Sequence, residues 1–182
     1  FINQIQLEST NADISCTAFA NVIKGFGKNV TVRDILSTYP YPNTLVVLEV
    51  NREILKLALE RAASYFENNN GNVTISERFL KPKVEHYNYD YFSNINYTFD
   101  LTKEVGNRVT SIKFNGEELS EDKNLTLVMN NYRASGAGGY ECYENCTVVN
   151  EILIEMPELI INYFKNNPKV VVDTSRYYSI LL

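Results

Sequence analysis

Two short apolar runs constrain the fold of this chain more than any other feature. TLVVLEV at residues 44–50 is β-branched and apolar, and NLTLVMNNY at residues 124–132 has a similar character, so both predict strands. Asn51 follows the first run and can cap a helix over residues 52–66, where apolar residues recur at helical spacing. A strand and a helix are therefore predicted side by side early in the chain.

The remaining segments add more strands than helices. Further strands are predicted at residues 12–20, 90–101, 108–114 and 169–173. The dipeptide Asn115-Gly116 predicts a hairpin turn, because both residues tolerate positive φ. This irregular alternation of strands and helices predicts an α+β fold with a mixed β-sheet core and helices packed on its faces.

Two more helices are predicted from local signals. Thr31 and Asp34 have the spacing of a capping box for a short helix, which the two prolines of YPYP at residues 39–42 must end. A longer helix is predicted over residues 147–167, kinked or interrupted near Pro157. The segment NNNGN after residue 67 is expected to close the helix that Asn51 caps.

Length and charge exclude several classes of protein. With 182 residues the chain suffices for one domain with a substantial core, so we predict a single domain over residues 1–182. A net charge of −5 and a pI near 5.0 argue against binding to long nucleic acid. No apolar run approaches the roughly 18 residues of a membrane helix. Because Phe1 stands in place of a Met, we expect a processed product or an excised piece.

The chemistry available to the chain is limited by what it lacks. His86 is the only histidine, so a site built from several histidines is excluded. The three cysteines, Cys16, Cys142 and Cys146, do not have zinc-site spacing; we expect unpaired thiols, with a bridge between the last two as the alternative. Ser135 lies outside any G-x-S-x-G motif, which argues against a serine hydrolase.

A glycine-rich loop, RASGAGGY at residues 133–140, is the most unusual local feature. It is neither a P-loop nor a G-x-G-x-x-G motif. Its glycines either allow a ligand to approach the backbone or form a plain tight turn. The proline-stiffened segment YPYPNT at residues 39–44 carries two more tyrosines. Two exposed tyrosines on such segments can hold a planar base between them, and the alternative is that both are ordinary half-buried residues.

Five segments together resemble the C-terminal domain of the 5'-nucleotidase family. They are ADIS (residues 12–15), VTVRDI (30–35), YPYPNTL (39–45), YDYFSNINYTFDLT (89–102) and NNYRASGAGGY (130–140). The chain is most similar to the branch of 2',3'-cyclic-nucleotide 2'-phosphodiesterase/3'-nucleotidases. Where the 5'-nucleotidase branch has an Asn-Gly-Gly-Gly-Ile-Arg-like segment, this chain has TAFANVIKG at residues 17–25, which leaves no phosphate-contacting arginine to assign there.

The resemblance implies that this domain selects the nucleotide. Two aromatic rings of the family clamp the base, and their positions match Tyr41 and Tyr140 here. Further substrate-binding residues implied by the matching segments are Asn43, Asn131, Arg133, Ser135, Gly136, Gly138 and Gly139. Ala137 interrupts a loop that is commonly all glycine. For Arg133 an alternative is that the guanidinium ties loop carbonyls together without touching the ligand. Tyr177, near the C-terminus, is expected to serve stability only.

The resemblance also implies what lies outside this chain. The family pairs this domain with an N-terminal metallophosphatase domain that holds two divalent metal ions and hydrolyses the phosphate ester. We therefore expect no cofactor in this chain and a secreted, periplasmic or cell-wall-anchored parent enzyme, with a nucleotide or nucleoside as the ligand. The competing hypothesis is a stand-alone nucleoside-binding or surface interaction module without catalysis.

Overall fold

The computed structural model describes residues 1–22 and 24–182 and contains five α-helices, three short 3₁₀ helices and eleven strands in that part of the chain. The helices are α1 (Ile2–Thr10), α2 (Val32–Thr38), α3 (Arg52–Ala63), α4 (Asn131–Ala134) and α5 (Met156–Asn166). The strands are β1 (Ile14–Ala18), β2 (Leu45–Val50), β3 (Phe66–Asn69), β4 (Asn72–Ile75), β5 (Asp90–Ser93), β6 (Asn96–Asp100), β7 (Val109–Phe114), β8 (Glu117–Glu118), β9 (Leu125–Asn130), β10 (Val148–Ile152) and β11 (Tyr178–Leu181).

The strands form two mixed sheets and one hairpin. The larger sheet has the order β10-β2-β9-β1-β5, in which β9 and β1 are parallel and the other neighbours antiparallel. The smaller sheet has the order β11-β6-β7-β8, with β11 and β6 parallel. Strands β3 and β4 form the separate hairpin. The predicted mixed α+β fold is confirmed.

Strand β2 shows how the larger sheet is buried on both faces. Val46, Leu48 and Val50 belong to a hydrophobic cluster that includes residues of α3. Leu45 and Val47 point the other way, into a second cluster with residues of α1, α2 and α5. Because successive side chains of a strand alternate between faces, burial on both faces requires consecutive apolar residues, as at positions 45–48 of this strand.

The first of these clusters also joins the two sheets. Ile14 and Phe92 enter it from the larger sheet, and Tyr97, Phe99 and Ile112 enter it from the smaller one. The two sheets therefore share one hydrophobic core. Within the described residues, none of the helices combines the length and the hydropathy needed to cross a membrane.

Two helix starts follow the local signals in the sequence. Thr31 caps α2: its hydroxyl accepts from the amide of Asp34, and its own amide donates to the Asp34 carboxylate at 2.8 Å. Asn51 caps α3 by accepting from the amide of Ile54 at 3.0 Å. The Asn-Gly turn is also present, with positive φ at Asn115 and Gly116. These three predictions are confirmed.

Three other sequence predictions are wrong. Residues 147–167 do not form one helix: β10 pairs with β2 before α5 begins at Met156. Pro157 lies in the first turn of that helix instead of kinking it, which suits a residue without an amide hydrogen. Residues 169–173 form no strand, and the last strand is β11, which pairs with β6.

Two turns were also missed. The strand predicted over residues 90–101 divides at Asn94, whose φ of 67° turns the chain from one sheet into the other. The NNNGN segment is the turn of the β3–β4 hairpin, so α3 ends at Ala63. Helix α1 was not predicted from the sequence. The prediction of unpaired thiols is confirmed, with Cys16 buried and the other two cysteines partly buried.

Candidate functional site

Four strand ends meet at one edge of the larger sheet. Strands β9 and β1 run parallel, so their carboxyl ends, at Asn130 and Ala18, lie on the same side. Strands β2 and β5 run antiparallel to them and begin there, with Leu45 opposite Asn130 and Asp90 opposite Ala18. The segments that enter or leave these four strands therefore lie close together at this edge. Open sheets commonly bind ligands at such an edge.

A cavity of about 850 Å³ opens at this edge. Its walls there carry five aromatic residues, which we call the aromatic edge: Phe19, Tyr39, Tyr41, Tyr87 and Tyr132. The cavity continues along the outer strand β5 past Tyr91 toward α1 and the C-terminal segment that contains Tyr177. A concave site with aromatic walls and a few polar groups is typical of small-molecule binding.

Tyr41 and Tyr132 present the most accessible rings of the aromatic edge. Tyr41 is 55% exposed and Tyr132 is 48% exposed. Tyr41 lies between two prolines that restrict its backbone, and its ring meets that of Tyr39 edge to face at 6.3 Å. Tyr132 follows the end of β9 and lies on the single turn of α4. Tyr41 is therefore held on a restricted backbone and Tyr132 on the turn that follows β9, and both side chains remain accessible.

Polar groups lie beside these rings. Asn43 lines the cavity, and its side-chain amide lies 3.5 Å from the Tyr39 hydroxyl. Burial raises the pKa of Tyr39. Lys83 also lines the cavity and donates to the Tyr87 hydroxyl at 3.3 Å, a bond that raises the pKa of this lysine. Lys24 is a second cation on the cavity wall.

Tyr140 does not face the cavity. Its side chain is fully buried, and its hydroxyl accepts a hydrogen bond from the amide of Asp90 at 3.1 Å. Its ring lies parallel to that of Tyr143 at 5.8 Å, and the guanidinium of Arg133 lies 4.3 Å from its centroid. The expectation of an exposed ring at this position is wrong, because the loop folds back and turns the residue into the core.

The glycine-rich loop packs against protein side chains. Gly136, Gly138 and Gly139 all have positive φ, between 80° and 88°. A Cβ at Gly138 would overlap the guanidinium of Arg133, and one at Gly139 would overlap that of Arg61. These glycines are therefore required by the turn and by close packing, and none of them lines the cavity.

Arg133 makes the contacts to backbone carbonyls that were considered as an alternative to ligand binding. It is 2% exposed, and its guanidinium donates to the carbonyls of Ala137 and Tyr87, the latter at 2.8 Å. Its Nε lies 2.8 Å from Oδ2 of Asp90, which is 1% exposed. Burial raises the pKa of Asp90, and the charge of Arg133 opposes that shift. The arginine ties loop carbonyls together, while its edge reaches the cavity wall.

The structure brings together only part of the predicted site. Tyr41, Asn43 and Arg133 line the cavity, whereas Asn131, Ser135, Tyr140 and the three glycines do not. Ser135 donates to the Tyr132 carbonyl at 2.8 Å, and the amide of Asn131 donates to the carbonyl of Thr44 at 2.9 Å. Both are structural contacts of the loop.

Six aromatic residues of the cavity wall were not predicted from the sequence: Phe1, Phe19, Tyr87, Tyr91, Tyr132 and Tyr177. A usable signal existed for Tyr132, which stands two residues beyond the last residue of β9 in the same segment as the glycine loop. Since Tyr177 lines the cavity, it cannot serve as a residue remote from the site. In the described part of the chain, no group of three or more His, Cys, Asp or Glu side chains is placed to hold a metal ion.

Comparison with known proteins identifies the class to which this fold and cavity belong. Residues 1–145 match the family model described as 5'-nucleotidase, C-terminal domain. The chain therefore belongs to the 5'-nucleotidase C-terminal domain family.

Individual relatives agree with that membership. A Staphylococcus aureus protein described as a 5'-nucleotidase, solved with alpha-ketoglutarate, superposes with a TM-score of 0.94 at 36% identity, over 100% of this chain and 36% of its own. A 2',3'-cyclic-nucleotide 2'-phosphodiesterase/3'-nucleotidase from Haemophilus influenzae is 29% identical over 66% of this chain and 20% of its own length. The trifunctional nucleotide phosphoesterase YfkN of Bacillus subtilis is 22% identical over 74% and 10%. The chain thus spans a fifth or less of these two curated relatives.

Proposed function

We propose that this chain is the nucleoside-binding domain of a larger nucleotide phosphohydrolase and that the base is held at the aromatic edge between Tyr41 and Tyr132. The observation that carries the proposal is the presence of these two accessible rings on the wall of one cavity, at converging strand ends. Tyr132 replaces Tyr140 as the second ring, because Tyr140 has no surface open to a ligand.

The proposed binding chemistry is stacking with limited polar recognition. Every base has a π-face, and stacking on an aromatic side chain contributes roughly 1–3 kcal/mol per base. The amides of Asn43 and Asn130 lie on the same cavity wall and can meet the polar edge of a base. The base lies away from the reacting phosphorus, so contacts to the base serve to orient the substrate. This orientation raises the rate only if it places the phosphate correctly for the reaction.

Hydrolysis itself is assigned to the part of the enzyme outside this chain. The relatives are named as nucleotidases and phosphodiesterases, and most of their length lies beyond the segment that this chain matches. In metal-dependent phosphoesterases, divalent ions polarise the phosphate and activate a water molecule. We propose that two such ions are held by an N-terminal metallophosphatase domain and that this chain supplies none of their ligands.

The test is a pair of Michaelis constants measured on the full-length enzyme. We expect Tyr41→Ala and Tyr132→Ala each to raise KM for adenosine 3'-monophosphate by roughly 5- to 150-fold, the equivalent of one lost stacking face. KM for 4-nitrophenyl phosphate, which has no base, should stay unchanged. Tyr→Phe changes at both positions should keep the affinity, since the ring is retained.

Leu57→Ala is the matched control, because Leu57 is 52% exposed on α3 and lies outside the cavity. Equal effects of the two alanine changes on both substrates would contradict base stacking. Nucleoside binding without any hydrolysis by the full-length protein would favour the stand-alone binding module instead.

A further inference from the structure

The short helix α4 depends on its surroundings for its orientation. It has four residues, a single turn, and an isolated turn has little stability of its own. Asn130 caps it by accepting from the amide of Arg133 at 2.8 Å. Tyr132 points from this turn into the cavity, and the next residue, Arg133, points into the core. Whatever holds the arginine therefore sets the direction of the tyrosine.

The arginine is held across the sheet. Its partner Asp90 is the first residue of β5, while Arg133 follows β9, and strand β1 lies between these two strands. The thiol of Cys16 on β1 lies 3.8 Å from the same carboxylate oxygen of Asp90. The ion pair thus crosses strand β1. It connects the segment that follows β9 with the start of β5, and these lead to two walls of the cavity.

The second wall is reached through the backbone of Tyr87. Arg133 donates to the carbonyl of this residue at 2.8 Å, and the ring of Tyr87 belongs to the aromatic edge. The guanidinium carbon also lies 5.8 Å from the centroid of the Tyr132 ring. One planar group is therefore in contact with the supports of two rings that face the same cavity.

We propose that Arg133 and Asp90 are positioning residues that set the placement of Tyr132 and Tyr87 for base binding. This inference rests on the proposed function. A guanidinium has several donors in a fixed plane, so it can donate to the carbonyls of Tyr87 and Ala137 while its Nε forms an ion pair with the Asp90 carboxylate. An ammonium group is a compact charge and cannot reach all three acceptors in that arrangement.

The experiment is Arg133→Lys in the full-length enzyme, compared with Arg61→Lys. Arg61 also anchors the glycine loop, donating to the Gly138 carbonyl at 3.0 and 2.7 Å, but it lies outside the cavity. We expect Arg133→Lys to raise KM for adenosine 3'-monophosphate at least about fivefold with kcat nearly unchanged. KM for 4-nitrophenyl phosphate should not change. Arg61→Lys should lower Tm without changing either KM.

The outcomes separate this inference from the proposed function. If Tyr132→Ala raises KM for the nucleotide but Arg133→Lys does not, the positioning role is overturned and base stacking stands. If both arginine changes raise KM in proportion to their loss of Tm, the effect is general destabilisation and the inference is wrong. Should Arg133→Lys fail to fold, Asp90→Asn decides: a KM increase for the nucleotide alone supports the role, and an unchanged KM refutes it.

Discussion

Tyr132 and Tyr140 lie eight positions apart and have opposite environments. Tyr132 is half exposed beside the cavity, whereas Tyr140 is fully buried between the glycine loop and the start of β5. Burial raises the pKa of Tyr140 well above its ordinary value. Within one loop segment, Tyr132 thus has the proposed binding role at the aromatic edge, and Tyr140 has a packing role in the core.

This difference predicts distinct effects of substitution at Tyr140. Tyr140→Ala should lower the free energy of unfolding by about 3–5 kcal/mol, as expected for a large aromatic side chain removed from a core. Tyr140→Phe should lower it by about 1–3 kcal/mol, because the buried amide of Asp90 loses its acceptor. Urea unfolding monitored by circular dichroism provides the measurement.

The corresponding control is Tyr132→Phe, which removes only a hydroxyl on a half-exposed ring and should change stability little. If Tyr140→Phe left stability unchanged but weakened nucleoside binding, the assignment of this residue to the core would be wrong.

At the residue scale, the sequence motif located the right loop but not the direction of each side chain. Tyr41 and Asn43 line the cavity, and the two prolines beside Tyr41 restrict the backbone of their segment just before β2. The orientation of Tyr132 depends on where β9 ends and on the turn of α4. That turn is held by the distant residue Asp90, which no local pattern reveals.

The glycine loop packs against the core and has a structural role. Its three positive-φ glycines allow the backbone to fold against two arginine side chains. Arg61 donates twice to the carbonyl of Gly138, and Arg133 donates to that of Ala137. The loop therefore supports the aromatic edge without forming its surface.

We predict that Gly138→Ala destabilises the protein by about 1–3 kcal/mol, because a side chain at positive φ is strained and the methyl group would overlap Arg133. Gly27→Ala is the matched control: in the part of the chain that the structure describes, no atom lies within 4 Å of a Cβ at that position. Differential scanning calorimetry of both variants checks the prediction. Equal Tm values for the two would show that the loop tolerates a side chain.

Elements with local signals were predictable, and those formed by distant pairing were not. Thr31 and Asn51 cap their helices through contacts three residues away. Strand β10 exists because β2 offers it a free edge, so pairing overrides the helical pattern of residues 147–167. The same reason applies to β11, which becomes a strand by pairing with β6.

On the scale of the whole molecule, two sheets share one hydrophobic cluster. We therefore expect the isolated 182-residue chain to unfold cooperatively, with coincident transitions by circular dichroism and tyrosine fluorescence. Separate transitions for the two sheets would contradict a single domain.

We also expect the isolated chain to lack phosphohydrolase activity toward 2',3'-cyclic and 3'-nucleotides, with or without added Mn²⁺ or Zn²⁺. A dinuclear site needs several clustered ligands, and His86, the single histidine of the sequence, contacts the hydroxyl of Tyr65 at 2.7 Å. The assay compares this chain with the full-length enzyme at equal concentration. Metal-dependent turnover that persists through repeated purification would show that this chain carries a catalytic centre.

We propose that a nucleoside base binds between Tyr41 and Tyr132. The most direct measurement is an NMR titration of the isolated chain, with carbon-13 in its tyrosine rings, using adenosine and uridine as ligands. We expect the ring signals of Tyr41 and Tyr132 to shift as one of these nucleosides is added and to reach a plateau at saturation. The signal of the buried Tyr140 should stay in place. Shifts at Tyr140 without shifts at Tyr132, or no shifts with either nucleoside, would contradict the claim.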